Sequence, residues 1–415
     1  LSVTVVRPEA AAALFAVVGM LVVCADARAQ VPEAPPEDPR QAARIRWSPV
    51  YLTPSFRVSE LAVDSNVFNS ATNPRADLTM TLTPAVDAWV PIQRRVVFST
   101  RAAADLVWFK SFASERSINP ELAARVDVRG TRVNVWASSG WRRSRQRPSF
   151  EIDARSRRST THQHLGVAWR IRPKLEAELI GSIDVIDFDQ QEDVITGTNL
   201  RTALNRTERA VDARLYYALT PMTTVYVRGQ LHDDRFSRAP SRDGQGGRAA
   251  IGVRFNRRAL VAGSAEIGFR RLFTLRPDLP DFSGLVGSAA LSHTTGGTRI
   301  GLSWSRDLEY SAQQLRPYYI DTGVGVSVRR QLFGNFDMLV GARRDRYEYR
   351  TFDALLTPMP GRVRRFEYGI DVGYRLRPDL RIGLGMTNWR RTWQFETDRA
   401  VRGTQWGVSV SYGVL

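Results

Sequence analysis

The sequence is poor in the residues that usually carry soluble-enzyme or metal chemistry. Among 415 residues there are one cysteine and four histidines. The cysteine, Cys24, lies in an N-terminal apolar stretch, so a disulfide framework or a thiolate-rich metal site is excluded. Lysine occurs only at Lys110 and Lys174, yet lysine and arginine together number 59 against 42 acidic residues, for a formal charge of +17. Positive charge is therefore almost entirely guanidinium. It is spread along the chain and not gathered into one arm, which argues against a nucleic-acid partner. Beyond Trp47 no apolar run is long enough to cross a bilayer as a helix. Nucleophile elbow, phosphate loop, zinc motif and dinucleotide fingerprint are all missing, so neither a cofactor nor an enzymatic activity is expected.

What is present begins with a leader pattern. Arg7, the apolar run 10–23 and Ala27-Arg28-Ala29 before Gln30 have the layout of a secretory signal peptide over residues 1–29. Val23 precedes Cys24, where lipoprotein processing needs a small residue. Removing Arg7, Glu9, Asp26 and Arg28 leaves the net charge of +17 unchanged. Residues 31–40 are rich in proline and acid, and residues 30–46 read as a flexible periplasmic lead-in.

From residue 47 to 415 the pattern is alternation over about ten residues followed by a breaker. Leu122, Ala124, Val126 and Val128 alternate with Arg125, Asp127 and Arg129; Ala249, Ile251, Val253 and Phe255 alternate with Arg248, Gly252 and Arg254. Phe366, Tyr368, Ile370, Val372, Tyr374 and Leu376 alternate with Arg365, Glu367, Gly369, Asp371, Gly373 and Arg375. Each such strand has one apolar and one polar face. Short turns such as Arg129-Gly130-Thr131, Arg172-Pro173-Lys174 and Arg377-Pro378-Asp379 alternate with longer polar stretches, near 64–75, 145–157 and 189–205 among others. Eight short and nine long connections predict an all-β antiparallel transmembrane β-barrel of about 18 strands, with short periplasmic turns, long external loops and both ends in the periplasm. Trp89, Trp108, Trp136, Trp169, Tyr217, Tyr319, Trp389, Trp393 and Trp406 fall near strand ends, as an interfacial girdle requires. The alternation slips between Trp389 and Phe395, which predicts a β-bulge.

The last strand carries a resemblance. Trp406, Val408, Val410, Tyr412 and Val414 share one face and Gln405, Gly407, Ser409 and Ser411 the other. The order of Gln405, Gly407, Val410 and Tyr412 is similar to the C-terminal assembly signal of bacterial outer-membrane β-barrels, although Leu415 stands where a terminal Phe is usual. Near the other end, Pro54-Ser55-Phe56-Arg57-Val58, Val63-Asp64-Ser65-Asn66-Val67-Phe68 and Ala76-Asp77-Leu78 leading to Thr83-Pro84 resemble the opening of a family of outer-membrane β-barrel porins. Asp64-Ser65 departs from the acidic pair usual there. Many members of that family are encoded with exopolysaccharide or capsule export genes. The resemblance implies a location in the bacterial outer membrane, with lipid, lipopolysaccharide and the barrel-assembly machinery as partners.

If the apolar face meets lipid, the charges of the other register line the interior. The pore-lining candidates are Arg101, Arg125, Arg170, Arg214, Arg228, Arg254, Arg299, Arg329, Arg343, Arg365 and Arg375, interleaved with Asp105, Asp127, Asp212, Glu266, Asp321, Glu367 and Asp371. Such an interior suits a porin-like channel for anionic solutes or an exported polysaccharide; the alternative is a non-conducting barrel acting as scaffold or hydrolase. His162 and His164 share a strand face, but no residue at metal-site spacing completes them, so no metal is expected. Asp184, Asp187, Asp189, Glu192 and Asp193 form an acidic hairpin end that spells out no regular coordinating loop.

Overall fold

In the structure, a computed structural model, the alternating segments become strands of 12 to 17 residues. It describes residues 43–413 except 94, 190–198, 276–280, 314–315, 351–360 and 395–398. After a short β1 (Ile45–Trp47) come β2 (Val50–Asp64), β3 (Asp77–Ile92), β4 (Val96–Phe109), β5 (Ser117–Arg129), β6 (Val133–Gln146) and β7 (Ser156–Arg172). Next are β8 (Leu175–Phe188), β9 (Arg206–Thr220), β10 (Thr223–Phe236), β11 (Gly244–Phe255), β12 (Val261–Thr274) and β13 (Phe282–Thr295). The series ends with β14 (Thr298–Tyr310), β15 (Tyr318–Gln331), β16 (Phe336–Arg350), β17 (Arg362–Arg377), β18 (Leu380–Gln394) and β19 (Arg399–Tyr412). Consecutive strands pair antiparallel and β19 pairs back with β2, so β2 to β19 form a closed 18-strand ring. Strand β1 pairs with the start of β2, from Ile45↔Leu52 to Trp47↔Val50. The eight tight turns all lie at one end and the nine longer connections at the other, as the sequence predicts.

Closure lets the faces sort in the reverse sense to a soluble protein. Leu122, Ile251 and Leu384 are 55%, 59% and 62% exposed, whereas Arg125 and Asp371 are each 8% exposed. Every backbone N–H and C=O in lipid must be paired, and a ring satisfies this without leaving an edge. The closing seam carries its own irregularity. The register shifts between Ser59 and Ala62 on β2 and between Val408 and Val410 on β19, with Glu60 at φ 55°. Gly407 sits beside that shift, where a Cβ would lie 2.2 Å from the Leu61 carbonyl oxygen, so only glycine fits the seam.

At the long-loop end, β13 and β14 pair only as far as Gly287↔Arg306. Beyond that point, Leu308 of β14 and Tyr318 and Ile320 of β15 pack against Leu272, Phe282 and Val286 in one fully buried cluster. The upper β14–β15 hairpin thus leans over the inner face of its neighbour.

Two expectations fail here. Strand β18 keeps its register from Trp389↔Gly403 to Trp393↔Arg399, so no bulge lies in residues 389–394, and Phe395 falls outside the described residues. The alternation slips because Trp393 packs on an inward aromatic cluster while Arg390 is exposed on the outer face. The girdle is likewise smaller: Trp108, Trp169, Tyr217 and Trp406 face outward, but Trp89, Trp136, Tyr319, Trp389 and Trp393 turn inward. Trp136 lies under the Arg125 guanidinium at 4.2 Å, and Tyr319 is 6% exposed.

Candidate functional site

Because side chains alternate across each strand, the eleven candidate arginines all share the face opposite the exposed apolar set. Most are matched by carboxylates. Arg101 pairs with Asp87 at 2.9 Å, Arg125 with Asp127 at 2.8 Å and Arg343 with Asp345 at 2.8 Å. Arg214 and Arg228 share Asp212, Arg365 pairs with Glu367, and Arg375 reaches Asp337 at 3.5 Å. Arg170, Arg254, Arg299 and Arg329 have no carboxylate within ion-pair distance among the described residues. Arg254 instead lies over the Tyr216 ring at 5.1 Å, and Arg299 donates to Ser292 Oγ at 2.9 Å. Arg170 is exposed close to a periplasmic turn.

The sequence reading missed several of the wall's anchor points. Arg381 is 7% exposed and bridges Asp337 and Asp371. Arg248 joins Glu266 at 2.9 Å to Asp307 at 3.0 Å, and Arg270 meets Asp307 at 2.8 Å. Arg248, Glu266 and Asp307 border an inward cavity of about 370 Å³ lined also by Arg214, Tyr226 and Ser288. Arg125, Arg214, Arg343 and Arg365 each find an acid two residues away on their own strand, as spacing allows, whereas Arg381, Arg248 and Arg270 reach acids one to three strands away, which spacing alone could not show.

Among the described residues, the largest departure from an open ring is the segment 147–155 between β6 and β7. Phe150 stacks on Tyr347 at 3.7 Å and packs edge-on against Tyr319 at 5.0 Å. Strands β6 and β15 are nine apart in a ring of 18, so this loop crosses the interior to the opposite wall. Two carboxylates fasten it. Asp153, 4% exposed, takes an ion pair from Arg391 and a 3.0 Å hydrogen bond from Asn69 Nδ2. The other guanidinium nitrogen of Arg391 donates to the Phe150 carbonyl at 2.6 Å. Glu151 accepts from Ser311 Oγ at 2.6 Å, Ala312 N–H at 2.8 Å and Tyr349 Oη at 2.7 Å. Burial pushes the Glu151 carboxyl above its ordinary range against those three donors.

Other loops lock onto the same segment. Ile152 is buried with Phe188, Ala312 and Leu200, Ala203 and Leu204 of a one-turn helix α1 (Leu200–Leu204), capped by the Asn199 side chain. Arg242 donates to the carbonyls of Ala203 at 2.7 Å and Pro317 at 2.8 Å, and to that of Ser311. Burial lowers the Arg242 pKa to about 10, which leaves it cationic at neutral pH. Loop 147–155 reads as an ordinary polar connection in the sequence, and the Phe-Glu-Ile-Asp run at 150–153 is the one signal that it packs.

The histidines gain a partner. Asp184 on β8 stands opposite His162 on β7 in the strand register. Its Oδ1 lies 2.5 Å from His162 Nδ1 and 3.2 Å from His164 Nε2. Asp189 pairs instead with Arg143 at 2.5 Å, and Glu192 and Asp193 lie outside the described residues. In the assembly stretch, Gln405 and Gly407 pair with Asp64 and Ala62, and Val410 and Tyr412 with Val58 and Phe56 of β2.

Comparison with known proteins agrees with this architecture. The family model described as "Putative beta-barrel porin 2" matches residues 38–411. No curated protein sequence matches. Among solved structures, the chain is similar to a BenF-like porin from Pseudomonas fluorescens Pf-5, with a TM-score of 0.52 and 12% identity over 88% of this chain and 98% of that one. It also matches OccK5 (OpdH) of Pseudomonas aeruginosa, with a TM-score of 0.46 and 9% identity over 88% of this chain and 97% of that one. The former likeness concerns the fold alone. With the family model spanning nearly the whole ring, the chain belongs to the family described as "Putative beta-barrel porin 2" and is a porin-like β-barrel of the bacterial outer membrane.

Proposed function

We propose that this barrel is a diffusion channel for small anionic solutes, lined by arginine and narrowed by loop 147–155. The observation that carries the reading is the arginine excess left after pairing: Arg254, Arg299 and Arg329 have no carboxylate within ion-pair distance among the described residues, while the paired guanidinia are locally neutralised. Charges fixed on a low-dielectric wall concentrate counter-ions in the aqueous space they face. Loop 147–155 makes the passage selective for size, since it is fastened to both sides of the ring. Passage of an exported polysaccharide, which the family resemblance implies, requires that loop to leave the interior.

The test is the reversal potential across a KCl gradient in planar bilayers, at low and high mean salt, for wild type and for Arg254→Ser with Arg329→Ser. Anion preference should appear at low salt, shrink in the double variant, and fade as the Debye length falls to about 3 Å near 1 M. Cation preference, or unchanged selectivity in the double variant at low salt, refutes the arginine lining. Absence of any conductance favours a non-conducting scaffold or hydrolase.

A further inference from the structure

We infer that His162, His164 and Asp184 form a divalent transition-metal site on the inner wall of the barrel. The side chains at 162 and 164 project from one face of β7, and Asp184 is the direct cross-strand partner of His162 on β8. The three ligand atoms lie within 4.8 Å of one another. A zinc-like ion holds nitrogen and oxygen ligands at about 2.0–2.2 Å, so tetrahedral ligand atoms stand about 3.3 Å apart. Two of the three edges here are 2.5 Å and 3.2 Å, so lengthening the shorter by under an ångström brings both to that size, and the third edge is at most 4.8 Å.

The chemistry of the cluster suits a cation. One carboxylate oxygen approaches a nitrogen of each of two imidazoles, so an ion of charge +2 takes the place of the protons that now hold the three groups together. Two neutral imidazoles and one carboxylate select borderline ions such as Zn²⁺, Ni²⁺ or Cu²⁺ over Mg²⁺ or Ca²⁺, which prefer all-oxygen shells. The scaffold is firm, since the β7–β8 register runs unbroken from Arg158↔Phe188 to Arg170↔Glu176. Side-chain exposures of 9%, 16% and 23% for His162, His164 and Asp184 leave one side open to the interior. An ion there keeps coordination positions for water or a solute, as in an open site. The inference is independent of which solute the channel passes.

The experiment is calorimetric titration of the purified, folded full chain in detergent with ZnCl₂ at pH 7.4, paired with Co²⁺ absorption as a readout of coordination. One saturable site per barrel with visible Co²⁺ d–d bands is expected, and His164→Gln or Asp184→Asn should each weaken binding by at least about tenfold. His232 and His293 remain in both variants, so unchanged binding in His162→Gln/His164→Gln/Asp184→Asn overturns the assignment. So does wild-type protein that shows no saturable binding below millimolar Zn²⁺; the cluster is then a hydrogen-bonded brace between two strands. Heat-modifiable gel mobility reports whether each variant has folded. Should the triple variant fail to fold, His164→Gln decides alone, because His164 is the more exposed of the two rings.

Discussion

Removing the Asp153 carboxylate should release loop 147–155 from the wall. Asp153 and Arg391 are each 4% exposed, and the aspartate also holds Asn69 Nδ2 at 3.0 Å. Breaking a buried pair by deleting one partner costs about 3–5 kcal/mol, because the other charge is left uncompensated. While the loop stays in, Arg391 keeps its bond to the Phe150 carbonyl and its place over the Trp393 ring at 4.2 Å, which partly compensate its charge, so the lower end applies. At about 3 kcal/mol the folded-in population of Asp153→Ala falls by roughly 100-fold relative to the released one. Removing both charges, in Asp153→Ala with Arg391→Met, should restore part of that loss, since no buried charge then remains. Two assays read the change. Single-channel conductance should rise in Asp153→Ala, and trypsin should cut after Arg155, whose following residue Ser156 is only 1% exposed in the intact fold. If conductance and tryptic resistance both match wild type, the loop is not held by this pair and the argument fails.

Other outcomes follow from the same geometry. Burial raises the Glu151 carboxyl, so the folded-in loop binds a proton more readily than a released one. The contribution of that proton is fully present at low pH and is lost as pH rises through the raised value, above the ordinary carboxylate pKa of about 4.3. Conductance should therefore increase from acidic to neutral pH, and Glu151→Gln should flatten the profile; an opposite slope in wild type contradicts the sign. Ile267, 52% exposed and midway along β12, should cost about 2–4 kcal/mol when changed to Arg, whereas Val410→Arg, near the periplasmic end of β19, should cost roughly 0–1 kcal/mol. Equal urea midpoints for the two variants would show that depth has been misassigned. N-terminal sequencing of membrane-extracted protein should begin at Gln30; a start at Leu1, or lipid on Cys24, contradicts signal cleavage at Ala29.

Strand number, sidedness and the inside–outside register were all legible in the linear sequence, because each depends on local regularities. A period of two assigns the faces of Leu122 to Arg129 or Phe366 to Leu376 before any partner is known, and the lengths of connections assign the ends. What tertiary structure decided lies inside the ring. Arg381 finds Asp337 and Asp371, Asp184 finds His162 and His164, and Phe150 finds Tyr347 only after register and closure bring distant positions together. The inward aromatics at Trp389 and Trp393 broke the expected alternation for the same reason: loop 147–155 packs on the upper inner wall, so inward positions under it become core and the polar rule for a water-facing wall lapses there. A strand's own period reports which face a residue takes, but only the folded ring determines whether that face meets water, a charge or another loop.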